Sequence, residues 1–292
     1  MKRIVGLHES RVRSVLTPTG GFIEAFTHSL NPYMGCAFGS GGCGAYCYVA
    51  ESPIGLYAGV PWGEWVEMKA NAAAVLDREL AAIPDREGVR VFMSSATDPY
   101  QPAERMSRVT RQILEVFSRQ SIGLLIVQTR SPLVERDLDL LSAMPFAWLS
   151  MTVETDDDRI RRALTPTCPS IDRRFEAMRH AREAGVHVQA TVSPAFPHDA
   201  ERFVDRLAEV ADRVIVDTLC GDGAGGKRSA RRPIVPRLAA IGVEDWRDET
   251  EARALHARLR ERLGDGRVGW SQEGFNALAV QARALSMSKP LA

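Results

Sequence analysis

The chain has 292 residues, 45% hydrophobic and 25% charged, which is enough apolar mass for one large domain or two smaller ones and too much for a disordered chain. Lys+Arg and Asp+Glu are equal at 37 each, so no overall basic excess announces a nucleic-acid surface. No apolar run approaches the roughly 18–20 residues of a membrane-spanning helix, and MKRIVGLHESRVRSVL at the start lacks the apolar stretch and cleavage site of a signal peptide, so a cytoplasmic, non-membrane protein is expected.

A leading segment, 1–21, precedes the first recognisable strand, FIEAFTHSL at 22–30. A glycine-rich stretch carrying three cysteines fills 31–52. Val66, Ala70, Ala73, Leu76 and Leu80 recur at helical spacing and predict a helix over 64–83. VRVFMSS (89–95) is short and β-branched and predicts a buried strand, followed by a helix over 105–120. The alternation continues with strand 122–129, helix 133–144, strand 146–153, helix 170–185 stopped at Gly185, strand 186–193, helix 199–211 and strand 213–219. Strands that read as continuous apolar runs are covered on both faces, and strand–helix alternation implies right-handed crossovers and a parallel sheet. Six such units predict an α/β fold, either doubly wound or a partial (β/α)6 TIM-like barrel. No G-x-G-x-x-G follows the first strand, so a dinucleotide fold has no support. Helices over 247–264 and 276–285, with a short strand at 266–270, make the tail a helical C-terminal extension, 221–292, packed on a core of 22–220. GKRSARRP (226–233) is the one dense basic run and reads as a solvated loop.

Three of the five cysteines, Cys36, Cys43 and Cys47, follow the spacing C-x6-C-x3-C. In a reducing compartment, clustered thiols bind metal or do chemistry rather than pair. Structural zinc needs four ligands; His28 is available as a fourth, yet the spacing fits no common zinc knuckle. A cubane [4Fe–4S] cluster on three thiolates leaves one iron open, and glycines through the loop allow the chain to wrap closely around it. Three unrelated cysteines in a glycine-rich loop are the remaining alternative.

NPYMGC…C…YCY (31–48) resembles the N-terminal signature of radical S-adenosylmethionine (SAM) enzymes, and most of all the branch related to spore photoproduct lyase. Three later stretches are similar in the same order: SSATDPYQPAE (94–104), QTRSPLVERDLDLL (128–141) and SMTVETDDDRIRRALTPTCPSIDRRFEAM (150–178). The resemblance covers roughly residues 25–200. One departure is the loop: the common pattern is C-x3-C-x2-C, whereas here both gaps around Cys43 are longer, and the added residues are small.

The resemblance implies a [4Fe–4S] cluster on Cys36, Cys43 and Cys47, with SAM on the open iron. It implies that Tyr46 lies against the adenine and that Ser94, Ser95 and Thr97 end the second strand where the SAM amino group is met. Asp98 matches an acidic position of the related lyase, or caps the turn before Pro99. Glu154 and Thr155 end the fourth strand, where ribose hydroxyls are bound; Thr155 also suits a helix N-cap. Arg162 falls where the lyase carries a basic residue for the SAM carboxylate, and competes with the reading of a solvated helix arginine. Cys220, at the end of the sixth strand and flanked by Asp217 and Asp222, is a candidate hydrogen-atom donor or substrate contact; His198 lies on the same rim, and Cys168 has no assigned role.

The family reaction is reductive cleavage of SAM to a 5′-deoxyadenosyl radical, which takes a hydrogen atom from a small-molecule, nucleoside or peptide substrate, with an electron donor such as flavodoxin or ferredoxin. DNA repair is disfavoured, because Ser95 stands where the lyase has its hydrogen-donating cysteine and the chain is neutral overall. A non-catalytic metal protein and a nucleic-acid-binding repair protein using GKRSARRP are the alternatives from other classes.

Overall fold

The computed structural model describes residues 6–219, 223–229, 231–232 and 234–288. Its strands in chain order are β1 (Gly6–Ser10), β2 (Thr17–Pro18), β3 (His28–Leu30), β4 (Tyr33–Gly35), β5 (Trp65–Lys69), β6 (Arg90–Met93), β7 (Leu124–Thr129), β8 (Ala147–Thr152), β9 (His187–Val192), β10 (Arg213–Val216) and β11 (Val268–Trp270).

The main sheet has the order β11-β10-β9-β8-β7-β6-β3-β2. Every pair from β3 to β11 is parallel, and β2 runs antiparallel at the other edge. The expected strands β3, β6, β7, β8, β9 and β10 therefore form a partial barrel, and the C-terminal extension adds β11 as a further parallel strand. Alternate residues explain why these short runs are strands. Val91, Leu125, Val127, Leu149 and Val188 face the outer helices, while Phe92, Leu124, Ile126 and Ile215 point into the barrel. The crossover helices start where side chains accept first-turn N–H groups: Ser170 from Arg173 and Asp199 from Arg202. The helix Ile171–Glu183 stops before Gly185, whose φ is +83°.

The barrel's two edges are bridged by the last helix, Ser271–Ser288. Its Asn276 accepts from the Ala25 N–H (3.0 Å) and donates to the Phe22 carbonyl (2.8 Å). Phe275 packs edge-on against Phe22 at 5.3 Å between ring centres and, with Leu278 and Ala279, plugs the barrel interior. Among the described residues no helix is long and apolar enough to cross a membrane.

Several elements differ from the sequence expectations. The helix expected over 64–83 is a strand, Trp65–Lys69, followed by a helix over Ala72–Ala81. Val66 and Met68 are buried while Trp65, Glu67 and Lys69 are half-buried, a period of two that the apolar spacing had hidden. This β5 joins β1 in parallel and β4 in antiparallel to make a second, three-stranded sheet. The helix expected over 105–120 breaks at Arg108, whose φ is +52°. The first strand is short, His28–Leu30, and the stretch 133–144 is a 3-10 turn, Pro132–Asp137, before the helix Leu138–Ser142.

Candidate functional site

The motifs that run in order along the sequence meet in space. Tyr33 is buried, and its hydroxyl contacts Glu104 and lies 2.6 Å from the Ser107 hydroxyl. Asn31 accepts from the Ala96 N–H (3.0 Å), and Gln101 accepts from the Ala37 N–H (2.8 Å). The stretch 94–104 is thus the mould against which the cysteine loop sets.

That loop proceeds in short helical turns, Ala37–Gly39, Cys43–Ala45 and Tyr48–Glu51. Glycine is required where the turns touch: a Cβ on Gly44 would lie 1.8 Å from the Gly39 carbonyl oxygen. The result brings Cys36, Cys43 and Cys47 into the lining of a cavity of about 500 Å³ at the C-terminal ends of the barrel strands. Cys36 and Cys43 are only 4% and 8% exposed, and burial first, then the nearby Cys43 and Asp98, pushes the Cys36 thiol up. Cys43 and Cys47 lie within hydrogen-bonding reach of each other, and this contact together with burial holds the Cys43 thiol above its ordinary range. Among the described residues no group of three His, Cys, Asp or Glu side chains is gathered so as to hold a metal ion. A single tetrahedral ion with bonds of about 2.3 Å needs its thiolates nearly touching, whereas a cubane takes each thiolate on a different iron. Three thiols lining one cavity, each free to take a different iron, are a donor set that fits the second.

On the same cavity, Ser94 has φ +74° and its hydroxyl is buried without a partner; the Thr97 hydroxyl is likewise unpartnered. Ser95 accepts from Asn31 Nδ2 (3.4 Å), and its carbonyl accepts from the Tyr48 hydroxyl (2.5 Å). Asp98 lies on the same wall, yet its carboxylate accepts from the Tyr100 N–H (2.8 Å), the Thr129 hydroxyl (2.7 Å) and the Arg130 N–H (2.9 Å). Burial raises its pKa against those donors.

Tyr46 stands on the cavity wall, edge-on to Phe196 at 5.1 Å, and its hydroxyl donates to Glu154. Glu154 accepts in addition from Arg130 Nη1 (2.5 Å) and Arg174 Nη1 (2.7 Å). Burial would raise its pKa, but Arg174 and Arg130 outweigh it and hold the carboxyl at about 2. Glu154 is 3% exposed and stands behind Tyr46 and Arg130, not on the cavity wall.

Two expected residues fall elsewhere. Thr155 is buried away from the cavity, donating to the Pro197 carbonyl (2.6 Å) and accepting from the Asp157 N–H (3.0 Å); the cap of the next helix is Asp157 itself. Arg162 lies on the outer face of the helix Asp158–Leu164, its side chain 68% exposed and 3.6 Å from Asp158. Ile160 and Leu164 take the inward positions of that helix, which turns Arg162 to solvent. Cys220 and Asp222 lie outside the described residues. Asp217 is buried and accepts from Ser193 (3.0 Å) and the Ala224 N–H (3.0 Å), while His198 turns its Nδ1 to the Phe196 carbonyl (2.7 Å). Cys168 is buried beside the loop, 3.2 Å from where a Gly42 Cβ would be.

Sequence reasoning missed Arg130 and Gln128. Arg130 reaches the wall directly after β7, the position where a strand-end polar residue of QTRS could have signalled it. Gln128 donates to Thr152 (2.6 Å), and its carbonyl oxygen has no partner.

The family description "Radical SAM superfamily" matches residues 30–214. An uncharacterized protein of Methanocaldococcus jannaschii is 27% identical over 187 residues, spanning 64% of this chain and 66% of that one. A radical SAM Nalpha-GlyT isomerase of Pseudomonas phage M6 is 25% identical over 180 residues, 60% of this chain and 36% of that protein. The match covers less than two thirds of either relative's length. Spore photoproduct lyase complexed with dinucleoside spore photoproduct shares the fold, with a TM-score of 0.62 at 15% identity over 91% of this chain and 81% of that one. The family match covers more than half the chain, so the chain belongs to the radical SAM superfamily, whose enzymes use a [4Fe–4S] cluster and SAM.

Proposed function

We propose that this radical SAM enzyme carries its cluster on Cys36, Cys43 and Cys47 and acts on a small-molecule, nucleoside or peptide substrate. The observation that carries the reading is the cavity itself, lined by three thiols and by the unpartnered Ser94 and Thr97 hydroxyls. When bound, the cluster and SAM supply one electron and a 5′-deoxyadenosyl radical able to take an unactivated hydrogen atom. The chain's own residues bind and orient. Tyr46 flanks the adenine with its ring held by Phe196 and its hydroxyl by Glu154. Ser94, Ser95 and Thr97 meet the polar end of SAM, and Arg130, not Arg162, is the cation beside it. Asp98 on the wall and Glu154 behind it fix Arg130 by its N–H and by its guanidinium. Thr155 holds the turn that follows Glu154.

The catalytic core is the stretch 22–220, preceded by an N-terminal segment, 1–21, and followed by a C-terminal extension, 221–292, of which the described part adds β11 to the sheet. The cytoplasm, where thiols stay reduced, suits the loop, and a flavodoxin or ferredoxin suits the need for one-electron transfer.

Anaerobic reconstitution with iron and sulfide, then SAM and dithionite, is expected to yield 5′-deoxyadenosine. Cys43→Ala is expected to lose the cluster's visible absorbance. A reconstituted chain that keeps its cluster yet forms no 5′-deoxyadenosine would refute the catalytic reading, and metal held by four protein ligands would refute the cluster.

A further inference from the structure

The basic run GKRSARRP is not simply a solvated loop. Arg232 turns inward: its Nη1 donates to Glu51 Oε1 at 2.8 Å and its Nη2 to the Gly44 carbonyl. Gly44 follows Cys43, and Glu51 closes the helical turn after Cys47, so one guanidinium grips the chain on both sides of Cys47. The Arg232 side chain is 26% exposed and that of Glu51 19%, a partly shielded pair. Gly44 is also a residue at which the loop has no room, since its Cβ would collide with Gly39. Arg228 and Ser229 of the same run line the cavity.

The gap between Cys43 and Cys47 holds Gly44, Ala45 and Tyr46, one residue more than the common C-x2-C. An added residue turns a carbonyl outward and loosens the span between two ligands. A planar fork with donors in fixed directions can take that carbonyl and a carboxylate at once; a lysine ammonium is a point charge on a flexible stem and cannot fix both. We propose that Arg232 is the positioning residue of this enlarged cluster loop, a staple from the C-terminal extension that holds Cys43 and Cys47 at the separation two neighbouring irons require. The inference rests on the cluster reading above, and the experiment separates the two.

The test uses the full chain reconstituted with its cluster. Cluster loss to an iron chelator is followed by absorbance, and the reduction potential by titration monitored with electron paramagnetic resonance. Arg232→Gln is expected to lose its cluster at least threefold faster than the wild type, and its potential is expected to fall, because a cation has left the cluster's surroundings. Glu51→Gln shifts the potential the other way. The double variant, with no net change of charge, returns the potential towards the wild-type value while the rapid loss persists. Arg232→Lys restores the potential but not the retention. Hydrogen exchange over 42–51 in the cluster-free chain rises in Arg232→Gln, a readout that needs no cofactor. A wild type that assembles no cluster overturns the cluster reading. A wild type with a cluster, and an Arg232→Gln variant with the same loss rate, overturns the staple, as does a loss rate that Arg232→Lys restores in full. If Arg232→Gln does not fold, Glu51→Gln alone, which removes one arm of the grip, is expected to speed cluster loss, and an unchanged rate overturns the proposal.

Discussion

Replacing Glu154 by Gln removes the one negative charge between two buried guanidiniums. The Arg174 side chain is fully buried and that of Arg130 14% exposed, while that of Glu154 is 4% exposed. Two lines of reasoning give the size of the effect. A carboxyl held at about 2, against an ordinary 4.5, contributes roughly 3 kcal/mol at pH 7. Breaking a buried pair by removing one partner costs about 3–5 kcal/mol, because the surviving charge has no counterpart. The two agree, so Glu154→Gln is expected to destabilise by about 3 kcal/mol, which at roughly 2.1 cal/mol/K of unfolding entropy per residue lowers Tm of a chain of this size by about 5 °C.

The sign with pH follows from the depressed pKa. The contribution of Glu154 is fully present above about 4.5, the unfolded value, and is lost as pH falls from there towards about 2. Urea unfolding of the cluster-free chain at pH 7 and along an acid series measures both. Wild type and variant should differ most at neutral pH and converge at the acid end. A loss under about 1 kcal/mol at pH 7, with parallel acid limbs, would show that the guanidiniums find other partners and that the pair does not hold this wall.

Thr97→Val removes a hydroxyl that no protein group meets, so stability is expected to stay within about 0.5 kcal/mol while the SAM Kd of the reconstituted enzyme rises roughly tenfold. Arg162→Ala should leave that Kd within about twofold, because the side chain is two-thirds exposed and faces Asp158; Arg130→Ala should weaken it by more than about tenfold, and equilibrium binding distinguishes the two. Asn276→Leu leaves the Ala25 N–H and the Phe22 carbonyl without their partner across the barrel edge, and should cost about 2–4 kcal/mol in urea unfolding.

The fold was legible where the sequence is under one demand at a time. β7 and β8 are covered on both faces, so LLIVQT and AWLSMT read as strands without ambiguity. β5 was not legible, because Val66, Ala70, Ala73, Leu76 and Leu80 happen to fall at helical spacing across a strand and the helix that follows it. Its neighbours β1 and β4 lie far off in sequence, and pairing with them decided the matter. Arg162 and Arg174 show the same limit at the site. Both sit in arginine pairs on helices, RR at 161–162 and at 173–174, and nothing local separates them. The packing of each helix turns Arg162 to solvent and buries Arg174 against Glu154. The cysteines were legible for the opposite reason, since three in twelve residues need no tertiary information to stand out.

Hydrogen-bond satisfaction sorts the remaining site residues more sharply than their positions at strand ends. An unpartnered buried polar group costs about 1–3 kcal/mol, so a fold carries few of them without cause. Ser94, Thr97 and Gln128 each present one such atom on the wall of a single cavity, and a bound ligand that meets them offsets the cost. Asp98 and Glu154 are the reverse case: each accepts three hydrogen bonds from the protein. A carboxylate so occupied has little capacity left for a ribose or a substrate, but it fixes the groups it binds. Strand-end position alone treats Thr97 and Glu154 alike. Their partners separate residues with an unmet polar atom on the cavity, Ser94, Thr97 and Gln128, from carboxylates whose oxygens the protein already occupies, Asp98 and Glu154.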